Sequence, residues 1–234
     1  TTLAMKGGAY VYYFENYVSK NSLSDFISPI IDFLSSVGIN FFGSDPVSAG
    51  FGLFNAGGII FMIVGIGLSK MLADKYGKRN VFGVFLFIST LFILVFYVLS
   101  PDSINLIFGA QIFHGFFYGI TIPLLWAMIA DVADYSEWKN NRRATAIIFS
   151  AMMVGLKLGL SIGGALVASI LGSYGYVPNS AGEQTESAIL GTKMLVSIFP
   201  SIPFLVAAAL LFFYVIDKKM EEKIEQDLLK KRKS

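Results

Sequence analysis

Three carboxylates (Asp131, Asp134, Glu137) and three cations (Lys139, Arg142, Arg143) crowd into thirteen residues of the stretch A-D-V-A-D-Y-S-E-W-K-N-N-R-R-A-T-A, Ala130 to Ala146. Side chains of opposite sign at this density can do charge pairing rather than bond-breaking chemistry. Apolar runs flank the stretch, Leu106 to Ala130 before it and Ala144 to Leu171 after it. Charges this dense cannot sit in hydrocarbon, so they mark a polar hinge between two membrane-crossing helices.

A second kind of chemistry comes from polar groups inside the apolar runs, where burying a charge is costly and has a reason. Lys157 is fourteen residues past Arg143, roughly 20 Å along a helix axis. That depth is near the middle of a core about 30 Å thick. Gly155, Gly159 and Gly163 form a small-residue stripe for helix packing, and Lys157 lies about 200° from it. The lysine is expected to face something polar, with Ser150 and Ser161 on its side. That environment is a cavity, with a buried ion pair as the alternative.

Trp126, five residues before Asp131, is deeper than an interfacial tryptophan needs to be, and Pro123 should loosen the helix beside it. Gln111, His114 and Tyr118 share one face of the same helix, a stripe that could line a wet cavity. For His114 alone, an interhelical hydrogen bond is the favoured expectation. Near the start of the chain Lys6, Tyr10, Tyr13 and Tyr17 also share a face, Tyr17 reading as an aromatic-belt residue. Asn55 is a weaker candidate.

Enzyme constellations are missing from the sequence. One histidine and no cysteine leave no metal-ligand spacing, and there is no phosphate-cradling loop and no nucleophile elbow. The chain reads as a non-enzyme that binds no metal and no nucleic acid. Its hydrophobic fraction of 55% and mean hydropathy of +0.65, with 22 Phe and 23 Gly, belong to an integral membrane protein.

The elements that must position these residues are six apolar spans: 3–18, 48–72, 81–99, 104–132, 144–171 and 190–216. The expected fold is all-α, a six-helix transmembrane bundle over 1–216 with a charged, solvated cytoplasmic tail over 217–234. Residues 23–38 carry apolar positions at helical spacing and suggest an interfacial helix on the lipid bilayer, or else a loop packed on the bundle. Of the 18 Lys and Arg, four lie in 70–80, three in the opening stretch and seven after Asp217. With six alternating spans all three groups fall on one side, and the positive-inside rule puts both chain ends in the cytoplasm. The chain opens without Met inside an apolar segment, which gives the expectation of a fragment.

The stretch A-D-V-A-D-Y-S-E-W-K-N-N-R-R-A-T-A resembles the signature of the glycoside–pentoside–hexuronide:cation symporters, the melibiose-permease type of the major facilitator fold. The loop A-D-K-Y-G-K-R-N (73–80) is similar to that family's loop between helices eight and nine. The opening L-A-M-K-G-G-A-Y-V-Y-Y-F is similar to its helix seven. The resemblance spans the whole chain and implies the C-terminal six-helix half of a transporter in the bacterial inner membrane, moving a sugar or glycoside by alternating access with Na⁺ or H⁺. It implies a substrate site including Lys157 and Trp126, to which Lys6, Tyr10, Tyr13, Asn55 and His114 are added as candidates. It assigns Asp131, Asp134, Glu137, Arg142 and Arg143, with Asp74 and Arg79 of the preceding loop, to a cytoplasmic gating network. It implies no cofactor in this half, the coupling cation being expected in a missing N-terminal half. Asn140-Asn141 departs from the family's usual turn. A lipid or other non-sugar substrate, and a non-transporting scaffold, are the alternatives.

Overall fold

The computed structural model describes residues 1–39, 45–178 and 184–233. Part of the loop expected over 172–189 and the final residue of the tail, Ser234, lie outside the described residues. Among the described residues all regular structure is helical: α1 (Thr2–Asn16), α2 (Lys20–Ser36), α3 (Pro46–Tyr76), α4 (Lys78–Val95), α5 (Ile104–Asn140), α6 (Thr145–Ser173), α7 (Glu186–Val196), α8 (Ile198–Leu210) and α9 (Lys218–Lys233). A 3-10 turn at Leu211–Phe213 closes α8. Among the described residues, five stretches are long and apolar enough to cross a membrane: α3, α4, α5, α6 and the α7–α8 unit through Phe213. The chain is a multi-pass membrane protein.

Local signals explain the boundaries. Asp45 caps α3 by accepting from the Ser48 backbone N–H at 2.9 Å and its hydroxyl at 2.6 Å, with Pro46 in the first turn. Gly77 then separates α3 from α4 at φ 84°, a conformation that side chains disfavour. The break at Ser197 between α7 and α8 follows from Pro200, which has no N–H to donate to Val196 and whose ring would crowd that carbonyl. Serines near the break pick up backbone carbonyls: Ser197 Oγ donates to Lys193 O, and Ser201 Oγ to Ser197 O at 2.6 Å.

The opening stretch behaves differently from a hinge. Helix α5 continues through it to Asn140 and stops at Asn141, which adopts the left-handed conformation at φ 53°. At 37 residues, α5 is about 55 Å long and overreaches a 30 Å hydrocarbon core. Once outside the apolar layer, charged residues sustain the helix, so Asp131, Asp134 and Glu137 are carried on a rigid rod.

Two further features concern the ends of the bundle. Helix α9 is docked instead of solvated: Ile224 and Leu228 are buried with Ile216, against Val132, Tyr135 and Trp138 of α5. Trp138 Nε1 also donates to Asp227 at 3.0 Å. Helix α2 packs on the bundle through Leu23, Ile27 and Phe26, whose ring lies 4.8 Å from that of Phe108.

The core is divided along the bundle axis. One cluster is aromatic, joining Tyr10, Tyr13, Phe14, Phe54, Phe96 and Phe108 of α1, α3, α5 and the turn after α4. The other joins Phe82, Leu86, Ile120, Leu124 and Met128 of α4 and α5. Helices α3 and α5 cross with their backbones in contact. A Cβ on Gly115 would run into the Gly58 carbonyl, one on Gly119 into Met62, and one on Gly65 into Phe116. Close approach of this kind is how membrane helices associate without a hydrophobic driving force.

Candidate functional site

Between the two core clusters lies a cavity of about 570 Å³, lined by α1, α3, α4, α5, α6 and α8. Lys6, Tyr10, Asn55, His114 and Trp126 line it. So do Gln111, Tyr118 and Thr121 of α5, and Met152 and Leu156 of α6. The volume is within the range of small-molecule sites, and the lining combines apolar and aromatic surface with a few convergent polar groups.

Gln111 organises the polar wall. Its Oε1 accepts from the Lys6 ammonium at 3.3 Å and from the Tyr10 hydroxyl at 3.0 Å. Lysine is a donor only, so it orients the amide with oxygen towards α1. Gln111 fits close against α3 because position 58 is glycine, where a Cβ would strike the amide. Lys6 is 5% exposed, and its ammonium also lies 5.2 Å from the Tyr10 ring centroid. Among the described residues no carboxylate pairs with it. The cavity therefore contains a buried amine held by one amide oxygen and a ring face.

His114 has the interhelical hydrogen bond expected of it. Its Nδ1 lies 3.0 Å from the Ser89 carbonyl of α4, so Nδ1 carries the proton. Its ring stacks on Tyr118, 5.8 Å between centroids, and Tyr118 stacks in turn on Phe204 of α8. Asn55 donates to its own helix at Phe51 O, 3.0 Å away. Trp126 is 41% exposed and presents an open ring face at the cavity's edge.

Two sequence candidates lie elsewhere. Tyr13 is fully buried in the aromatic core, 6.0 Å from the Phe96 ring, and its hydroxyl has no partner among the described residues. The face shared by Lys6, Tyr10, Tyr13 and Tyr17 is thus divided: the cavity takes the first two and the core takes Tyr13. Tyr17 donates to Leu99 O at 2.6 Å, near the opposite end. Lys157 is exposed on α6 and is not part of the cavity lining. Helix α6 touches α1 through Gly159 and Gly163, which approach Thr1 and Ala4, while Gly155 meets nothing. Most of α6 is left open, Lys157 included.

The charged residues converge at the far end of α5. Lys78 of α4 binds both Asp131 oxygens, at 2.7 and 2.8 Å, and Glu221 of α9 at 2.9 Å. The three side chains are 14 to 31% exposed, so water screens the pairs only partly. Asp134 joins Lys78, Asp131 and Glu221 around a polar cleft of about 400 Å³. Glu137 forms an ion pair with Arg143, 3.7 Å apart, and the Arg142 carbonyl accepts from Ser136. Asp74 enters through its backbone carbonyl, which accepts from Lys218 at 2.6 Å. Arg79 stands apart, on the outer side of α4. Sequence reasoning missed Lys78 and Glu221, which complete the network; no spacing within the chain signals a contact between α4, α5 and α9.

A membrane bundle with a central, mostly apolar cavity carrying a few polar groups, and a charge network at one end, has the architecture of a transport protein. The family described as MFS/sugar transport protein matches residues 33–218, and the chain belongs to it. The chain is 30% identical over 198 residues to the isoprimeverose transporter of Lactiplantibacillus pentosus, covering 84% of this chain and 41% of that protein. It is 30% identical over 176 residues to the glucuronide carrier protein homolog of Escherichia coli K12, covering 73% and 38%. It is 35% identical over 158 residues to an uncharacterized 29.9 kDa protein of Pseudescherichia vulneris, covering 67% and 57%. The chain therefore spans 38 to 57% of the length of these relatives.

Proposed function

We propose that this chain is the C-terminal six-helix half of a secondary transporter that moves a sugar or glycoside by alternating access, coupled to Na⁺ or H⁺. The observation that carries the reading is the cavity. Its lining includes a tryptophan as well as Lys6, Gln111, Asn55 and His114, and an aromatic ring suits the apolar face of a sugar while amine and amide groups bind its hydroxyls. In such transporters the substrate sits at the midplane between two helical halves. Relatives named as isoprimeverose and glucuronide transporters make glycosides the first substrates to test. A non-transporting scaffold would have no use for this hollow.

In this reading α1 is the first of the six spans, although its fifteen residues fall below a full crossing. The charged network is cytoplasmic, by the positive-inside rule, and both chain ends lie on that side of a bacterial inner membrane. The second half of the transporter closes the cavity against α1 and α6 and supplies the coupling-cation site. Lys157, on the open side of α6, then meets substrate at the junction of the two halves. The Lys78–Asp131–Glu221 cluster serves as a latch that is made in one state and broken in the other.

The test is uptake by the complete protein in proteoliposomes, with radiolabelled isoprimeverose and a glucuronide as probes. Accumulation that requires an imposed Na⁺ or proton gradient is the expected result. Absence of saturable uptake of any pentoside, hexoside or uronide under either gradient would reject the reading.

A further inference from the structure

A second hollow lies on the outer side of the same helices, and the central cavity does not account for it. It is a groove of about 570 Å³ between α4 and the α8 segment with its terminal 3-10 turn. Its walls are apolar: Val84 and Phe87 of α4, Leu205 and Ala208 of α8, and Phe212 beyond it. Phe212 is 82% exposed, too much bare aromatic surface for a helix end that faced only water. One end of the groove is polar, formed by Arg79 and Asn80 in the first turn of α4. Asn80 is engaged with the end of α3, donating to Tyr76 O at 3.2 Å. Arg79 makes no ion pair or hydrogen bond with any described residue, although its neighbour Lys78 is held by two carboxylates.

The dimensions match an amphiphile. From Arg79 to Ile88, where the groove ends, α4 rises roughly 13 Å. That is close to half of a 30 Å hydrocarbon core, the depth of one leaflet. Arg79 stands at the end of the bundle where the basic segments collect, at the level of lipid headgroups. An outward groove at membrane depth is covered by acyl chains, and a guanidinium at its mouth selects the headgroup. Arginine binds a phosphodiester with two parallel N–H donors, so charge complementarity names an anionic phospholipid.

We propose that the α4–α8 groove binds one anionic phospholipid from the leaflet at the basic end, its phosphate on Arg79 and one acyl chain along Val84, Phe87, Leu205 and Phe212. Because α4 and α8 also contribute Phe82, Leu86, Phe204 and Ala207 to the central cavity, an occupied groove braces the cavity wall from behind. The site does not depend on the identity of the transported substrate.

The test uses the full chain in nanodiscs doped with phosphatidylglycerol carrying a diazirine in its acyl chain, with the phosphatidylcholine analogue as control. Labelled peptides are mapped by mass spectrometry. Labelling should concentrate on residues 78–95 and 198–213. Arg79→Gln should lower it about tenfold, as loss of a charge-assisted hydrogen-bonding group implies, and Arg79→Lys should restore part of it. Ala208→Phe, which fills the groove and leaves the arginine in place, should lower it as well. The proposal is overturned by equal labelling with phosphatidylcholine, or by indifference to Arg79→Gln. Labelling spread evenly over α6 and the other exposed helices, competition by inorganic phosphate alone, or cross-links joining two copies through this face would overturn it too.

Discussion

Lys6 and Gln111, 105 residues apart in the chain, meet at 3.3 Å in the wall of the central cavity, and the oxygen that receives the lysine also receives the Tyr10 hydroxyl. One amide therefore keeps a buried amine and a buried phenol in place. Gln111→Leu should destabilise the bundle by about 1–3 kcal/mol, because two buried donors lose their shared acceptor. It should also weaken substrate binding. Gln111→Glu should retain the fold, since the carboxylate still accepts from Lys6. Thermal melting with ligand titration separates the two effects; a leucine variant that melts with the parent protein would show that the donors have other partners.

The charge cluster makes a kinetic prediction. Glu221→Gln and Asp131→Asn should each loosen α9 from α5, and a double-mutant cycle with Lys78→Met should show coupling of roughly 1 kcal/mol, reduced by partial exposure. If the cluster is a latch, these changes, like neutralising Arg142 and Arg143 together, slow transport more than they weaken equilibrium binding. Binding that falls while the rate per bound substrate is unchanged would reject the latch.

Lys157 gives the sharpest test of the proposed two-half site. In the complete protein Lys157→Ala should abolish or severely impair uptake while membrane insertion, followed by cell-surface yield, stays intact. Unchanged transport would remove Lys157 from the site and leave substrate recognition in this half to the cavity wall formed by α1, α3 and α5.

The α3–α5 crossing predicts a contrast between glycines of the same helix. Gly119→Val should prevent correct folding, since the added carbons meet the Met62 backbone, which cannot move aside. Gly109→Ala meets nothing within 4 Å and should be neutral or stabilising by up to about 1 kcal/mol. Detergent-solubilised melting temperatures report both.

At the other end of the bundle, hydroxyl donation from Ser19 and Ser22 holds the Asp102 carboxyl below its ordinary range. A depressed folded-state value stabilises above the unfolded value of about 4 and is lost as pH falls through it. Amide exchange at the start of α2 should therefore rise below about pH 4. Ser22→Ala should flatten that dependence, and an unaltered profile in the variant would exclude Asp102 as its source.

How much of this was legible beforehand depends on the range of the interaction. Apolar runs of bilayer length depend on composition alone, so the major helices, the multi-pass character and the family were readable from the residues in order. Helical spacing placed Gln111, His114 and Tyr118 on one face, and their cavity follows from that face. Spacing could not tell where a stripe ends. On α1 it grouped Tyr13 with Lys6 and Tyr10, but the aromatic core formed by Phe54 and Phe96 takes Tyr13 out of the cavity. A helical repeat fixes direction around an axis and says nothing about which neighbour covers each level.

The charged stretch shows the same division. Its composition showed that it lies outside hydrocarbon and its pattern identified the family, but both are consistent with a hinge or a helix. Tertiary structure decided for the helix and for its partners, because Lys78, 53 residues before Asp131, pairs both with it and with Glu221, 90 residues after it. Sequence determined what could be buried in a membrane; only the packing of helices on one another, down to backbone contact at Gly115 and Gly119, decided which polar groups meet there.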